Sequence, residues 1–182
     1  MKRIVLTFGL ISGAISATLM LATVPFHDQI GFDRGMFVGY TSMVLSFLLV
    51  FFGIRSYRET VGNGEISFLR AFSVGILITM ITCVCYVATW EIVASRLMPD
   101  FIDKYSNYAV AKMQASGASA AQVEAKRQEM AHFAQLYANP FFRIAMTFLE
   151  PFPVGLLITL VSALILRRKP KAFESKQQLA SS

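Results

Sequence analysis

Charge is what this chain has least of. Only 15% of its 182 residues are Asp, Glu, Lys or Arg, while 55% are hydrophobic; a soluble domain usually carries about 25% charged residues. So few charges cannot cover a globule in water, and lipid is the solvent this composition fits. Cysteine and histidine are scarce as well, with two of each. Cys83 and Cys85 stand two residues apart in an apolar run, about 200° around a helix, which excludes a disulfide or shared metal ion. His27 and His132 fall in separate polar segments and make no zinc site. No H-E-x-x-H, nucleophile elbow, Walker loop or dinucleotide glycine pattern occurs. Gly62-Asn63-Gly64 lacks the lysine and spacing of a phosphate loop and reads as a turn. These absences point away from an enzyme and from any metal or cofactor.

The net charge of +6 does not indicate nucleic acid. Its basic residues lie between and beyond the apolar runs, with no zinc-finger spacing, RNA-binding signature or continuous basic helix. Positive segments flanking hydrophobic ones are instead a requirement of membrane topology.

What is abundant is long apolar sequence. Uncharged runs extend from Ile4 to Phe26, Gly35 to Ile54 and Ala71 to Trp90; a fourth, Ile144 to Leu166, is broken only by Glu150. Crossing about 30 Å of hydrocarbon takes about 20 helical residues, so each run suffices. The first is too long for a signal-peptide core and no small-x-small cleavage site follows it, so it is expected to remain as a helix. The sequence therefore predicts an all-α membrane protein with four transmembrane helices, at about 4–25, 35–54, 68–96 and 142–166. Residues 1–168 would form this domain, and 169–182 a disordered, basic, cytoplasmic tail.

Between helices three and four lies the one substantial polar segment. Phe101, Tyr105, Tyr108 and Ala109 recur at helical spacing, and Gly117 is a natural stop. Ser119 and Gln122 then have the spacing of a capping box, followed by Val123, Met130, Phe133 and Tyr137 on one face, up to Asn139-Pro140. Residues 99–139 are thus expected to fold as an amphipathic helical hairpin on one membrane face. Ten of the 17 Lys and Arg lie at the N-terminus, in the second loop and in the tail. The positive-inside rule places these on the cytoplasmic side, with both termini in and the hairpin out. The expected location is a bacterial inner membrane, crossed several times.

Small-x3-small stripes, Gly9-x3-Gly13-x3-Ala17 and Gly35-x3-Gly39, are expected to let helices approach closely. Val74–Thr79 and Val154–Thr159 echo one another, joining helices of opposite direction; a match of six residues among branched apolar side chains reads as coincidence.

The segments Gly31–Ser46, Phe51–Arg58, Ile66–Phe72, Tyr86–Glu91 and Phe148–Gly155 together resemble the bacterial membrane family catalogued as domain of unknown function 4199. The resemblance spans nearly everything before the tail. It implies a four-helix membrane protein and no activity, cofactor or catalytic residue.

Ionisable groups inside a membrane are costly and mark candidate function. Glu91 precedes Arg96 by five residues, and Glu150 follows Arg143 by seven. Measured from those arginines, the two carboxylates are expected at similar depth, with His27 and Arg34 capping the neighbouring helices at the same end. Pro151 and Pro153 each remove a backbone donor beside Glu150. Glu91, Glu150, His27, Arg34, Arg96 and Arg143 are accordingly the candidate polar pocket; pairing of Glu91 with Arg96 at the interface is the simpler alternative. The sequence favours a non-catalytic accessory or binding protein exposing its helical hairpin. The alternative is a small oligomeric carrier or channel subunit using Glu91 and Glu150. The expected partners are the bilayer, a protein meeting the hairpin at 99–139, and a second copy of the chain.

Overall fold

The computed structural model describes residues 1–168; the tail expected at 169–182 lies outside them. The described residues are almost wholly helical. They form α1 (Lys2–Thr23), α2 (His27–Thr60), α3 (Phe68–Ile92), α4 (Phe101–Ala115), α5 (Ala120–Tyr137), α6 (Pro140–Leu149) and α7 (Pro151–Leu166). A single backbone bridge, Ile66 with Arg168, is the only extended pairing among the described residues. Three helical stretches are long and apolar enough to cross a membrane: Lys2–Thr60, Phe68–Leu97 and Pro140–Leu166.

The first stretch folds back on itself. A 3-10 turn at Val24–Phe26 carries Pro25, and inside α2 Gly31 adopts φ 71°, ψ 166°, a conformation open to glycine because it has no Cβ. Past that break the chain runs antiparallel to α1. The Ser12 hydroxyl donates to the Ser46 carbonyl at 2.7 Å, and a Cβ on Gly53 would lie 3.2 Å from Phe8. The connection expected at 26–34 is therefore itself helical on both sides of a glycine break. α2 also outlasts the expected end at Ile54, because Arg55, Tyr57 and Arg58 continue its helical face and the turn proper starts only beyond Thr60.

Direct contacts set the remaining directions. Gly9 faces Ile81 and Gly13 faces Cys85, so α1 and α3 are parallel; Gly75 faces Thr159 and Gly155 faces Thr79, so α3 and α7 are antiparallel. α3 and α2 form the spine, each touching the other, α1 and α7. Along α2, Met43, Phe47, Val50, Ile54 and Tyr57 are buried at alternating spacings of four and three. Small hydroxylated residues share that core: Ser12, Ser46, Thr79, Thr82 and Thr159 are all buried. Thr82 returns its hydrogen bond to the Ile78 carbonyl, so its polarity is satisfied within the helix.

Many large apolar side chains also face outward: Phe37 is 76% exposed, Leu69 75% and Ile165 65%, while serines, threonines and glycines share the interior with Phe47, Ile54 and Ile78. That pattern suits a hydrocarbon surround, where close backbone packing rather than water exclusion holds helices together.

The echoing segments form one contact. Thr79 and Thr159 hydroxyls lie 3.0 Å apart, and each glycine of the pair, Gly75 and Gly155, receives the opposite threonine's Cγ2. The coincidence expected from sequence is thus a local, two-fold-like antiparallel interface between α3 and α7.

The stretch read as helix four is two helices. Asn139 caps α6 by accepting from the Phe141 amide, and α6 ends at Leu149, where Pro151 opens α7. Proline cannot donate to the carbonyl four residues back. α4 and α5 pack against each other, with Gly117 at φ 78° ending the first and the expected capping box of Ser119 and Gln122 opening the second. The aromatic face of α4 docks on the chain itself: Phe32 packs against Phe101, Tyr105 and Tyr108 at centroid distances of 5.9, 5.5 and 4.9 Å. Lys104 pairs with Asp28 at 3.2 Å and Lys112 with Asp33 at 2.6 Å, tying α4 to the α1–α2 bend.

Candidate functional site

α3 presents two polar side chains toward α6 near its C-terminal end, each meeting a different partner. Arg143 grips Glu91 bidentately, Nε to Oε1 at 2.8 Å and Nη2 to Oε2 at 2.6 Å. The side chains retain only 18% and 25% exposure, and the guanidinium lies 5.8 Å from the centre of the Tyr137 ring. Five residues earlier on α3, the Tyr86 hydroxyl donates to Glu150 Oε2 at 3.1 Å. Between these pairs, Trp90 Nε1 donates to the Tyr137 hydroxyl at 2.7 Å. Burial raises the Tyr137 phenol above its ordinary range, so it stays a neutral link.

This arrangement continues the antiparallel register set at Thr79 and Gly155, and it revises the depths expected from sequence. Glu91 lies opposite Arg143, not beside Arg96, because residues five apart on a helix point about 140° away from each other. Glu150, seven residues beyond Arg143, sits about 10 Å deeper at 1.5 Å per residue. The two carboxylates are therefore not at one level. Arg96 belongs to a π-helical turn at Val93–Leu97, is exposed, and makes no ion pair among the described residues. Arg34 is also exposed and borders a shallow surface cavity of about 560 Å³ with His27, Asp28 and Lys104.

The larger cavity, about 860 Å³, lies where the C-terminal end of α1, the first half of α2, and the adjoining ends of α3 and α6 diverge beneath α4 and α5. Glu150, Tyr86, Trp90, Tyr137 and His27 line it; Glu91, Arg34, Arg96 and Arg143 do not. Of the six residues singled out from sequence, the structure thus brings Glu150 and His27 to one cavity and Glu91 and Arg143 to a separate clasp. His27 Nε2 is buried without a hydrogen-bond partner, and its ring meets Phe32 edge-on at 4.9 Å.

The second glycine stripe also belongs here. Gly35 and Gly39 line the cavity: a Cβ on Gly39 would meet nothing within 4 Å, and one on Gly35 only Ile30 at 3.9 Å. Sequence treats this stripe as a packing seam like Gly9 and Gly13. The structure separates the two: Gly9 and Gly13 face α3, whereas at Gly35 and Gly39 the missing side chains leave space instead of contact. The cavity aromatics carried a sequence signal, since Tyr86 and Trp90 are four apart and share a helix face. It was indistinguishable from an interfacial belt until Tyr137 arrived from α5.

On the cavity wall the lysines are already engaged. Hydrogen bonds to Asp33 and Tyr108 raise Lys112 above its usual range, as bonds to Asp100 and Asp28 do for Lys104 nearby. Lys126 pairs with Glu129 at 2.9 Å. No group of three or more His, Cys, Asp or Glu able to hold a metal ion occurs among the described residues.

Apolar helices of membrane length and a core that includes buried hydroxyl-bearing residues and glycines fit a membrane protein. The chain belongs to the family described as protein of unknown function (DUF4199), whose profile matches residues 7–168. No curated protein and no solved structure matches it.

Proposed function

We propose that this protein crosses the bacterial inner membrane four times, with both termini cytoplasmic, and acts as a non-catalytic binding protein. Its ligand cavity would lie in the outer half of the bundle, roofed by the exposed α4–α5 hairpin. The observation that carries this reading is the cavity of about 860 Å³, within the range of about 300–1,000 Å³ typical of small-molecule sites. It is walled mainly by apolar and aromatic side chains, and Glu150, held by the Tyr86 hydroxyl, is among its few polar groups.

Four crossings are supported by the fold-back at Gly31, which divides the longest apolar stretch into two antiparallel limbs. The Arg168 amide donates to the Ile66 carbonyl at 2.9 Å, so the second loop and the end of α7 share one side, as the positive-inside assignment needs. Reporter fusions after Glu65 and Lys171 are expected to read cytoplasm, and a fusion at Ser116 the exterior. A cytoplasmic signal at Ser116 reverses the orientation.

Occupancy is tested by native mass spectrometry of the detergent-extracted full chain. Wild type is expected to carry a small-molecule adduct that Gly39→Phe loses, since this side chain would enter the cavity, while the melting temperature stays unchanged or rises. An adduct equally retained by the variant shows that the cavity is not the binding site.

A further inference from the structure

Resting on the cavity reading above, we infer that the ligand is an amphiphilic organic cation, an ammonium group on an apolar body, whose charge is received by Glu150. The charges of the lining decide its sign. Asp33 and Lys112 neutralise one another at 2.6 Å, and Lys126 is held by Glu129 at 2.9 Å. Glu150 lines the same space, and its hydrogen-bond partner is the neutral hydroxyl of Tyr86. It is the one charged side chain of the lining without an ion pair among the described residues. An anionic headgroup would meet an unbalanced carboxylate and two cations already engaged; an ammonium would complete the one pair that is missing.

Backbone chemistry adds to this preference. Pro151 and Pro153 have no amide hydrogen, so the carbonyls of Thr147 and Leu149 lack their i+4 donors. Thr147 borders the cavity beside Glu150, and such a carbonyl accepts from a cation's polarised hydrogens. Tyr86, Trp90, Tyr105 and Tyr137 line the space as well. Aromatic faces attract quaternary and protonated amines through their quadrupole, and the same walls shelter an apolar body. Glu91, the other carboxylate of this end, cannot serve, because Arg143 satisfies both its oxygens.

Trp90, the chain's single tryptophan, lines the cavity and provides the readout. The full chain in maltoside micelles is titrated with three nitroxide-labelled amphiphiles of one chain length, bearing a trimethylammonium, hydroxyl or sulfate head. The ammonium compound is expected to quench Trp90 saturably, with an affinity at least tenfold above the other two. Glu150→Gln should bring that affinity down to the hydroxyl compound's level and leave the latter unchanged. Equal saturable quenching by the ammonium and hydroxyl compounds, or stronger quenching by the sulfate, overturns the cation assignment while the cavity reading stands. A wild-type preference that survives Glu150→Gln overturns the role of Glu150. If none of the three quenches saturably, the cavity reading itself falls. The wild-type comparison is decisive even if the variant fails to fold.

Discussion

Gly155→Leu is expected to abolish the folded protein, seen as loss of the monodisperse species after extraction. Even a Cβ at this position would lie 2.5 Å from Thr79 Cγ2 and 2.7 Å from Phe47 Cε1. Both neighbours are essentially fully buried, and the threonine methyl is held close to its own backbone by β-branching. Relief requires α7 to move away from α2 and α3 together, which would break the Thr79–Thr159 hydrogen bond. Overpacking a core by a few carbons typically costs about 1–3 kcal/mol and sometimes more; a leucine between two helix backbones lies at or beyond the top of that range. Gly155→Ala is the graded form, and Thr79→Ser combined with it should restore part of the loss, because the serine keeps the hydroxyl and removes the clashing methyl while the Phe47 ring must still shift. The same rescue should work across the reciprocal contact, with Gly75→Ala and Thr159→Ser. Gly39→Ala, facing open space, should be close to neutral. If Gly39→Ala were as damaging as Gly155→Ala in a thermal melt, the two stripes would be equivalent and the cavity would not be open.

Arg143→Ala is expected to destabilise the protein by about 3 kcal/mol, the low end for removing one partner of a buried ion pair, since both side chains keep some exposure. The substitution leaves Glu91 without its two hydrogen bonds and uncovers the Tyr137 ring. Combining Arg143→Ala with Glu91→Ala should be less damaging than Arg143→Ala alone, since no carboxylate is then stranded; the coupling in the cycle should exceed about 1 kcal/mol. Arg96→Ala is expected to leave stability unchanged. The discriminating measurement is the thermal stability of the three variants and the double variant in one detergent. Additive effects at 91 and 143, or a comparable loss at Arg96, would show that Glu91 draws its stability from elsewhere.

Much of this was legible along the chain. Apolar run length, the Ser119–Gln122 capping box and the stop at Gly117 are local features. Each depends on hydrogen bonds within a turn or on the number of residues needed to span a bilayer, so the order of residues is enough to read them. The resemblance to the DUF4199 family rests on the same linear text. Less legible was the site. Glu91 and Glu150 stood out because carboxylates are costly in hydrocarbon, but their partners lie 52 and 64 positions away, and no local periodicity connects those residues. Arg96 was the natural sequence neighbour for Glu91 and points the wrong way around the helix.

The sequence by itself determined that this is an all-helical chain suited to lipid, and which few ionisable groups lie among apolar residues. Those properties follow from side-chain solvation and from backbone capping, both local. Only the tertiary structure decided that Gly9 and Gly13 close a contact while Gly35 and Gly39 open a cavity, although the spacing is identical. It also decided that the Val-Gly-x-Leu-Ile-Thr echo is an interface, and that Arg143 neutralises Glu91 while Glu150 faces free space. Each outcome depends on which helix lies opposite and at what register, and register is a property of pairs of helices that neither member carries alone.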